Sequence, residues 1–181
     1  IQLKETTDEI AHLESIATAL DIAVSEDDLA QLKLELADSG YIKKASSNNK
    51  KNKITSKPFH YVSSDGFDIY VGKNNYQNDE LTFKFARGDD FWFHAKNMAG
   101  SHVILKTKGM NQNEIPDRAF EEAASLAAYY SKGQNQEKVE VDYVLKKEIK
   151  KPAAAKPGFV VYYTNYSLIA STDISKLTQC D

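Results

Sequence analysis

The side chains best equipped for chemistry in this 181-residue chain crowd between positions 66 and 105. Lys73 is followed by Asn74, Asn75, Gln77 and Asn78, which places four carboxamides within five positions. Each carries donors and an acceptor, so the group suits the edges of bases and riboses better than it suits proton transfer. Beside that function stands a structural one, an asparagine-rich turn that caps a helix beginning near Asn78. Further on, Trp92, His94 and Lys96 alternate with Phe91, Phe93 and Ala95. In a strand this puts the first three on one face and the second three on the other. An aromatic ring beside a lysine is the pairing that stacks a base and meets its phosphate in single-stranded RNA recognition. Core packing is the other expectation for Trp92, as for any large aromatic. Ser101 and His102 complete the set, and together these residues predict one recognition surface.

Catalysis and metal binding find little support in the same residues. His94 and His102 are eight positions apart, Cys180 is remote, and neither a His-x-x-x-His helix nor a Cys-x-x-Cys pair supplies a compact ligand set. No G-x-S-x-G context presents a nucleophile, and Gly66 and Gly72 are too sparse for a dinucleotide fingerprint. The phosphate-cradling P-loop pattern is missing as well. The expectation is a binding protein with no catalytic residue, no metal, no cofactor and no small-molecule substrate.

Charge divides the chain in two. Residues 1–40 hold two Lys against ten Asp and Glu, a charge of −8, while the remaining 21 basic and 16 acidic residues leave +5. Lys43, Lys44, Lys50, Lys51, Lys53 and Lys57 occur without an acid, in a stretch whose Ala-Ser-Ser-Asn-Asn composition also suits a solvated linker. Lys146, Lys147, Lys150, Lys151 and Lys156 form a second cluster between structured segments, opposed by Glu148 alone. Such a cluster is expected to track a phosphate backbone. A single Cys excludes an internal disulfide framework and points to a reducing, cytoplasmic setting. No apolar run is long enough to span a membrane, and the chain, which begins at Ile1, is expected to be a piece of a longer one.

The elements that must position these groups follow from periodicity. Ile10, Leu13, Ala17 and Leu20 recur at helical spacing, Ser25 caps a second helix carrying Leu29, Leu32 and Leu36, and Gly40 closes it. A helical hairpin over 1–45 is predicted, then a basic linker over 46–58 and a domain over 59–176. In that domain Ser64-Asp65-Gly66 joins Phe59–Ser63 to Phe67–Val71 as a β-hairpin. A short helix is expected from Asn78 to Arg87, strands over 90–96 and 102–106, and a main helix over 117–132. Phe120, Ala123, Ala127 and Tyr130 form the inner stripe of that helix. Val139–Leu145 is a further strand, and Phe159–Tyr163 and Tyr166–Ala170 are read as a strand pair. The predicted class is α+β, a mostly antiparallel sheet with one main helix and a short helix, preceded by the α-helical hairpin.

Several motifs carry a resemblance. Ser63-Ser64-Asp65-Gly66-Phe67, Val71-Gly72-Lys73-Asn74-Asn75, Phe91-Trp92-Phe93-His94 and Gly100-Ser101-His102-Val103-Ile104 occur in an order similar to the C-terminal RNA-binding domain of the NFACT family. Ile115-Pro116-Asp117-Arg118, Val141-Asp142-Tyr143, Lys150-Lys151-Pro152 and Ala155-Lys156-Pro157-Gly158 extend it. The match covers about residues 59–170, and in its light residues 1–45 resemble the base of the family's coiled-coil arm. The family's proteins serve ribosome-associated quality control and are often labelled fibronectin-binding-like in bacteria. The resemblance implies binding to large ribosomal subunits, with ribosomal and transfer RNA as partners, and support by bacterial members of alanine tailing of stalled chains. Two departures stand out, Ala99 where members often have proline and Ala153-Ala154 where they often have Ser-Gly. A protein-binding module or surface adhesin is the alternative from a different class.

Overall fold

The computed structural model describes residues 1–44 and 55–180. Lys50, Lys51 and Lys53, and most of the expected 46–58 linker, lie outside the described residues.

Helices α1 (Gln2–Ile22) and α2 (Glu26–Asp38) form the expected hairpin. The Ser25 hydroxyl caps α2 by accepting from the Asp28 N–H at 3.2 Å, so one orphan donor of the first turn is satisfied. At the other end Gly40 takes φ 81°, and the N–H groups of Gly40 and Tyr41 reach back to the carbonyls of Ala37 and Leu36. That double bond is a Schellman closure, which needs the left-handed conformation glycine adopts without strain. The apolar stripe faces mostly outward in α1, while Leu32 of α2 is buried. Ile10, Leu13, Leu20 and Leu29 are exposed, and α1 instead buries His12, Ile16 and Ala19. The hairpin turns this partly polar side inward because the surface beneath it, described below, is itself polar.

The rest of the chain builds a seven-stranded antiparallel sheet from β1 (Phe59–Val62), β2 (Asp68–Val71), β3 (Phe91–Ala95), β4 (Val103–Leu105), β5 (Lys138–Leu145), β6 (Tyr166–Ser171) and β7 (Thr178–Cys180). The strand order is β6-β5-β3-β4-β2-β1-β7. The β1–β2 hairpin turns through Ser63–Phe67 with Gly66 at φ 84°. The β3–β4 hairpin pairs Phe91 with Leu105 and Phe93 with Val103, so its register agrees with the alternation.

Between β2 and β3 lie α3 (Asn75–Glu80) and a π-helical turn over Leu81–Phe85, closed by the Ala86 N–H donating to the Leu81 carbonyl at 2.8 Å. The helix is present but starts earlier than predicted. Its cap is Asn74, whose side chain accepts from the Gln77 N–H at 3.0 Å, and not Asn78. Helix α4 (Asp117–Tyr129) covers one sheet face, where Phe91, Phe93, Ala95, Val103, Leu105 and Val141 meet Ala119, Phe120, Ala123 and Ala127.

The opposite face is covered too. Trp92, Ile104 and Val144 form a second, smaller core with Leu81, Ala86 and Ile149. The segment read as a strand over Phe159–Tyr163 is not one. Residues 150–163 run as a strap over this face, with a bridge between Lys150 and Val161, and β6 pairs with β5 instead.

Candidate nucleic-acid interface

The amide-rich loop leaves the end of β2 at Gly72 and enters α3 underneath the helical hairpin. Asn74, Asn75, Gln77 and Asn78 are 3, 6, 4 and 3% exposed, and each has a partner inside the fold. Asn74 Nδ2 donates to Gln31 Oε1 at 2.7 Å, and Asn75 Nδ2 to Glu35 Oε1 at 2.7 Å and to Ser15 Oγ at 2.8 Å. Gln77 Nε2 donates to Gln31 Oε1 and Ser56 Oγ, at 2.9 and 2.6 Å. Asn78 Oδ1 accepts from the His102 N–H at 3.0 Å. A Cβ at Gly72 would sit 2.1 Å from Asn78 Oδ1, and one at Gly158 would sit 2.3 Å from Asn75 Oδ1, so only glycine permits these approaches. The expected amide recognition surface is therefore corrected: the carboxamides hold the hairpin onto the sheet domain, where buried polar groups must be paired.

Lys73 belongs to the same junction. Its ammonium lies 3.2 Å from Asp28 Oδ1 and 4.6 Å above the Phe59 ring, which ties it to α2 rather than to solvent. Asp28 also accepts from Ser56 and from the Val24 N–H. Burial raises the Asp28 pKa, but the Ser56, Val24 and Lys73 hydrogen bonds and the Lys73 charge together hold it below the usual range.

Trp92, His94 and His102 do come together on the second face. Trp92 and His94 stack with centroids 5.6 Å apart and planes 9° from parallel, while His102 meets both edge-on at 5.1 and 5.6 Å. Trp92 is 1% exposed, so its role as an open stacking platform is corrected to one of core packing. His102 is buried as well, with Nδ1 2.8 Å from Thr82 Oγ1 and Nε2 3.1 Å from the Gly158 carbonyl. A carbonyl can only accept, which places the ring proton on Nε2 and leaves Nδ1 to accept from Thr82. Burial, and then the neighbouring His94, push the His102 pKa well below the ordinary imidazole value. His94 is also lowered by burial, against hydrogen bonds with the Gly100 and Ala95 backbone and the charge of Asp142. Neither is a cation at neutral pH. Asn75 and these three rings line one cavity of about 420 Å³, walled by Phe159 and Tyr162 of the strap and by His12 and Ser15 of α1. Ser101 is buried with Oγ unpartnered among the described residues, beside a smaller gap under the junction.

The predicted lysines divide. Lys96 is paired with Glu140 at 2.8 Å, and Lys151 with Asp79 at 3.0 Å. Lys151 also donates to the Lys156 carbonyl at 2.7 Å, while Asp79 accepts from the Gly158 N–H, so this pair anchors the strap to α3. Among the described residues, Lys146, Lys147, Lys150 and Lys156 form no ion pair. Three of them, Lys147, Lys150 and Lys156, are exposed. No group of three or more potential metal-binding side chains occurs among the described residues, and no described helix is long and apolar enough to cross a membrane.

Residues 57–164 match the model of the NFACT protein RNA binding domain. The chain belongs to that family. This NFACT domain and its hairpin are 39% identical over 176 residues to the Rqc2 homolog RqcH of Streptococcus pneumoniae, covering 97% of this chain and 31% of that protein. The RqcH of Bacillus subtilis is 34% identical over 174 residues, covering 95% of this chain and 30% of that protein. The chain thus spans about a third of the length of these relatives. Among solved structures, the C-terminal part of the fibronectin/fibrinogen-binding protein from Streptococcus suis superposes with a TM-score of 0.87 at 39% identity, covering 97% of this chain and 69% of that one.

Asp79, Phe159 and Tyr162 are site residues of the NFACT domain that sequence reasoning missed. Their signal was present in part, since Asp79 sits inside the amide motif and Lys156-Pro157-Gly158 marks a turn. Nothing in the local pattern tells that this turn folds back over Trp92.

Proposed function

We propose that this chain is the RNA-contacting module of a ribosome-associated quality-control factor. In this reading Lys146 and Lys147, just after β5, and Lys150 and Lys156 of the strap meet the phosphates of ribosomal or transfer RNA on a large ribosomal subunit. The observation that carries it is the contrast among lysines: those elsewhere in the candidate site are bound to carboxylates, whereas these four have none, within a domain matched by an RNA-binding family. An unpaired lysine keeps its charge available for counterion release on a nucleic-acid backbone. The chain supplies contacts and no bond-making step, works in the cytoplasm, and contributes to any alanine tailing by the whole protein only through binding.

Crosslinking the full-length protein to RNA in cells and sequencing what is attached tests this directly. Recovery of large-subunit and transfer RNA is expected, with loss of both when the four lysines become alanine. Background RNA alone would overturn the reading. The Streptococcus suis protein, named for fibronectin/fibrinogen binding, favours a second reading as a protein-binding module. Saturable binding of fibronectin that survives the lysine replacements, without specific RNA recovery, would favour it.

A further inference from the structure

We propose that the cavity between α1, the second sheet face and the strap takes a single unstacked nucleobase. This deepens the RNA-binding reading above and rests on it for the source of the base. The cavity, about 420 Å³, falls within the range of small-ligand pockets. Its walls are rings. Trp92 and His94 are already parallel, His102 stands edge-on to both, and Tyr162 lies 5.2 Å from Trp92. Trp92 and His102, being buried, only back this wall, and the partly open rings of His94, Phe159 and Tyr162 are the ones left to stack on a planar guest, whichever base it carries.

Trp92 Nε1, buried without a hydrogen-bond partner among the described residues, is closed off from the cavity and meets no guest there. The other polar groups agree with that guest. His94 and His102 add neutral imidazoles, and no lysine or arginine lines the cavity. A phosphate would find no cation there. Outside, Lys156 is exposed and precedes Pro157 of the cavity wall, so it is suited to the phosphate that must trail from an inserted base. Phe159 is 43% exposed while lining the cavity, which makes it the rim. Because Ala11, His12, Glu14 and Ser15 of α1 close the other side, the cavity is complete only with the hairpin docked.

Trp92 is the only tryptophan, so its fluorescence reports occupancy without a label. The probes are AMP, ribose 5-phosphate, a short oligoadenylate and an abasic strand of the same length, with overall RNA affinity measured in parallel by anisotropy. AMP and oligoadenylate are expected to quench Trp92 while the two base-free probes leave it unchanged. Phe159→Ala, and His94→Phe as a second variant that keeps a ring, should each weaken AMP by about tenfold with unaltered melting. Equal quenching by ribose 5-phosphate, or no response to AMP, would overturn the proposal. Salt-sensitive RNA binding with a silent Trp92 and neutral variants overturns the pocket and leaves the RNA reading standing. AMP quenching without RNA affinity upholds a base pocket, assigns it to free nucleotides and overturns the RNA reading.

Discussion

Asn75 and Glu35 meet across the junction of hairpin and sheet at 2.7 Å, and the carboxylate is completely buried. His12 Nε2 approaches the same oxygen at 3.1 Å, while the second oxygen, Oε2, has no partner among the described residues. A buried acid held this way fixes orientation, since few arrangements of the hairpin satisfy it.

Asn75→Ala should therefore destabilise the fold by about 1–3 kcal/mol, because it removes the bonds Asn75 donates to Ser15 and Glu35 and leaves Glu35 less satisfied. Urea unfolding measures it. The recognition surface read from the sequence implies the reverse, an unchanged melt with lost binding, and that result would restore Asn75 to the RNA surface.

Phe93→Ala and Trp92→Ala should each cost about 3–5 kcal/mol, since both rings are buried, one against α4 and one in the smaller core. Near-native unfolding of Trp92→Ala would show that the second face is not a true core.

The alternation that separates Phe91 and Phe93 from Trp92 and His94 was legible because strand geometry imposes it. What alternation cannot report is whether a second layer covers the other face, and that decided the role of Trp92. The same limit explains the hairpin. Apolar periodicity located α1, but the partner face is made of amides, so the helix buries His12 and leaves Leu13 and Leu20 outside. Thr178–Cys180 lies beyond the predicted domain end at 176, yet it pairs with β1 through its main chain, which needs no apolar signature. The amides themselves were legible as polar and clustered. Their partners, Gln31 and Glu35, lie forty or more positions away from Asn74 and Asn75 in sequence, where no local pattern connects them.

Replacing Lys146, Lys147, Lys150 and Lys156 by alanine should reduce RNA affinity and flatten its salt dependence by about 0.7–0.9 in logarithmic slope per lysine that meets a phosphate. Lys147, Lys150 and Lys156, being exposed, should each change stability by no more than about 0.5 kcal/mol. Lys151→Ala is expected to differ, loosening the strap through Asp79 with little change in slope. Affinities across a salt series, with melts of both variants, check this, and an unchanged slope in the quadruple variant removes the strap from the interface.

His102 gives the domain a pH dependence whose sign follows from its burial. Its pKa in the folded chain lies well below the ordinary value near 6.5, because desolvation and the adjacent His94 oppose a charge there. The unfolded chain then binds a proton that the folded chain refuses, so stability rises with pH across that interval. It is fully present above the unfolded value and is lost as pH falls from there toward the depressed folded value, at up to about 1.4 kcal/mol per pH unit for each such group. His94, shifted the same way, adds to the slope. Chemical unfolding at a series of pH values between neutrality and the onset of carboxylate titration should show this decline. His102→Gln should lower stability at neutral pH, where the Thr82 and Gly158 hydrogen bonds are disturbed, yet flatten the dependence below it. A variant with the original slope would mean that His102 already accepts its proton in the folded chain, with the Gly158 carbonyl and Thr82 hydroxyl outweighing burial.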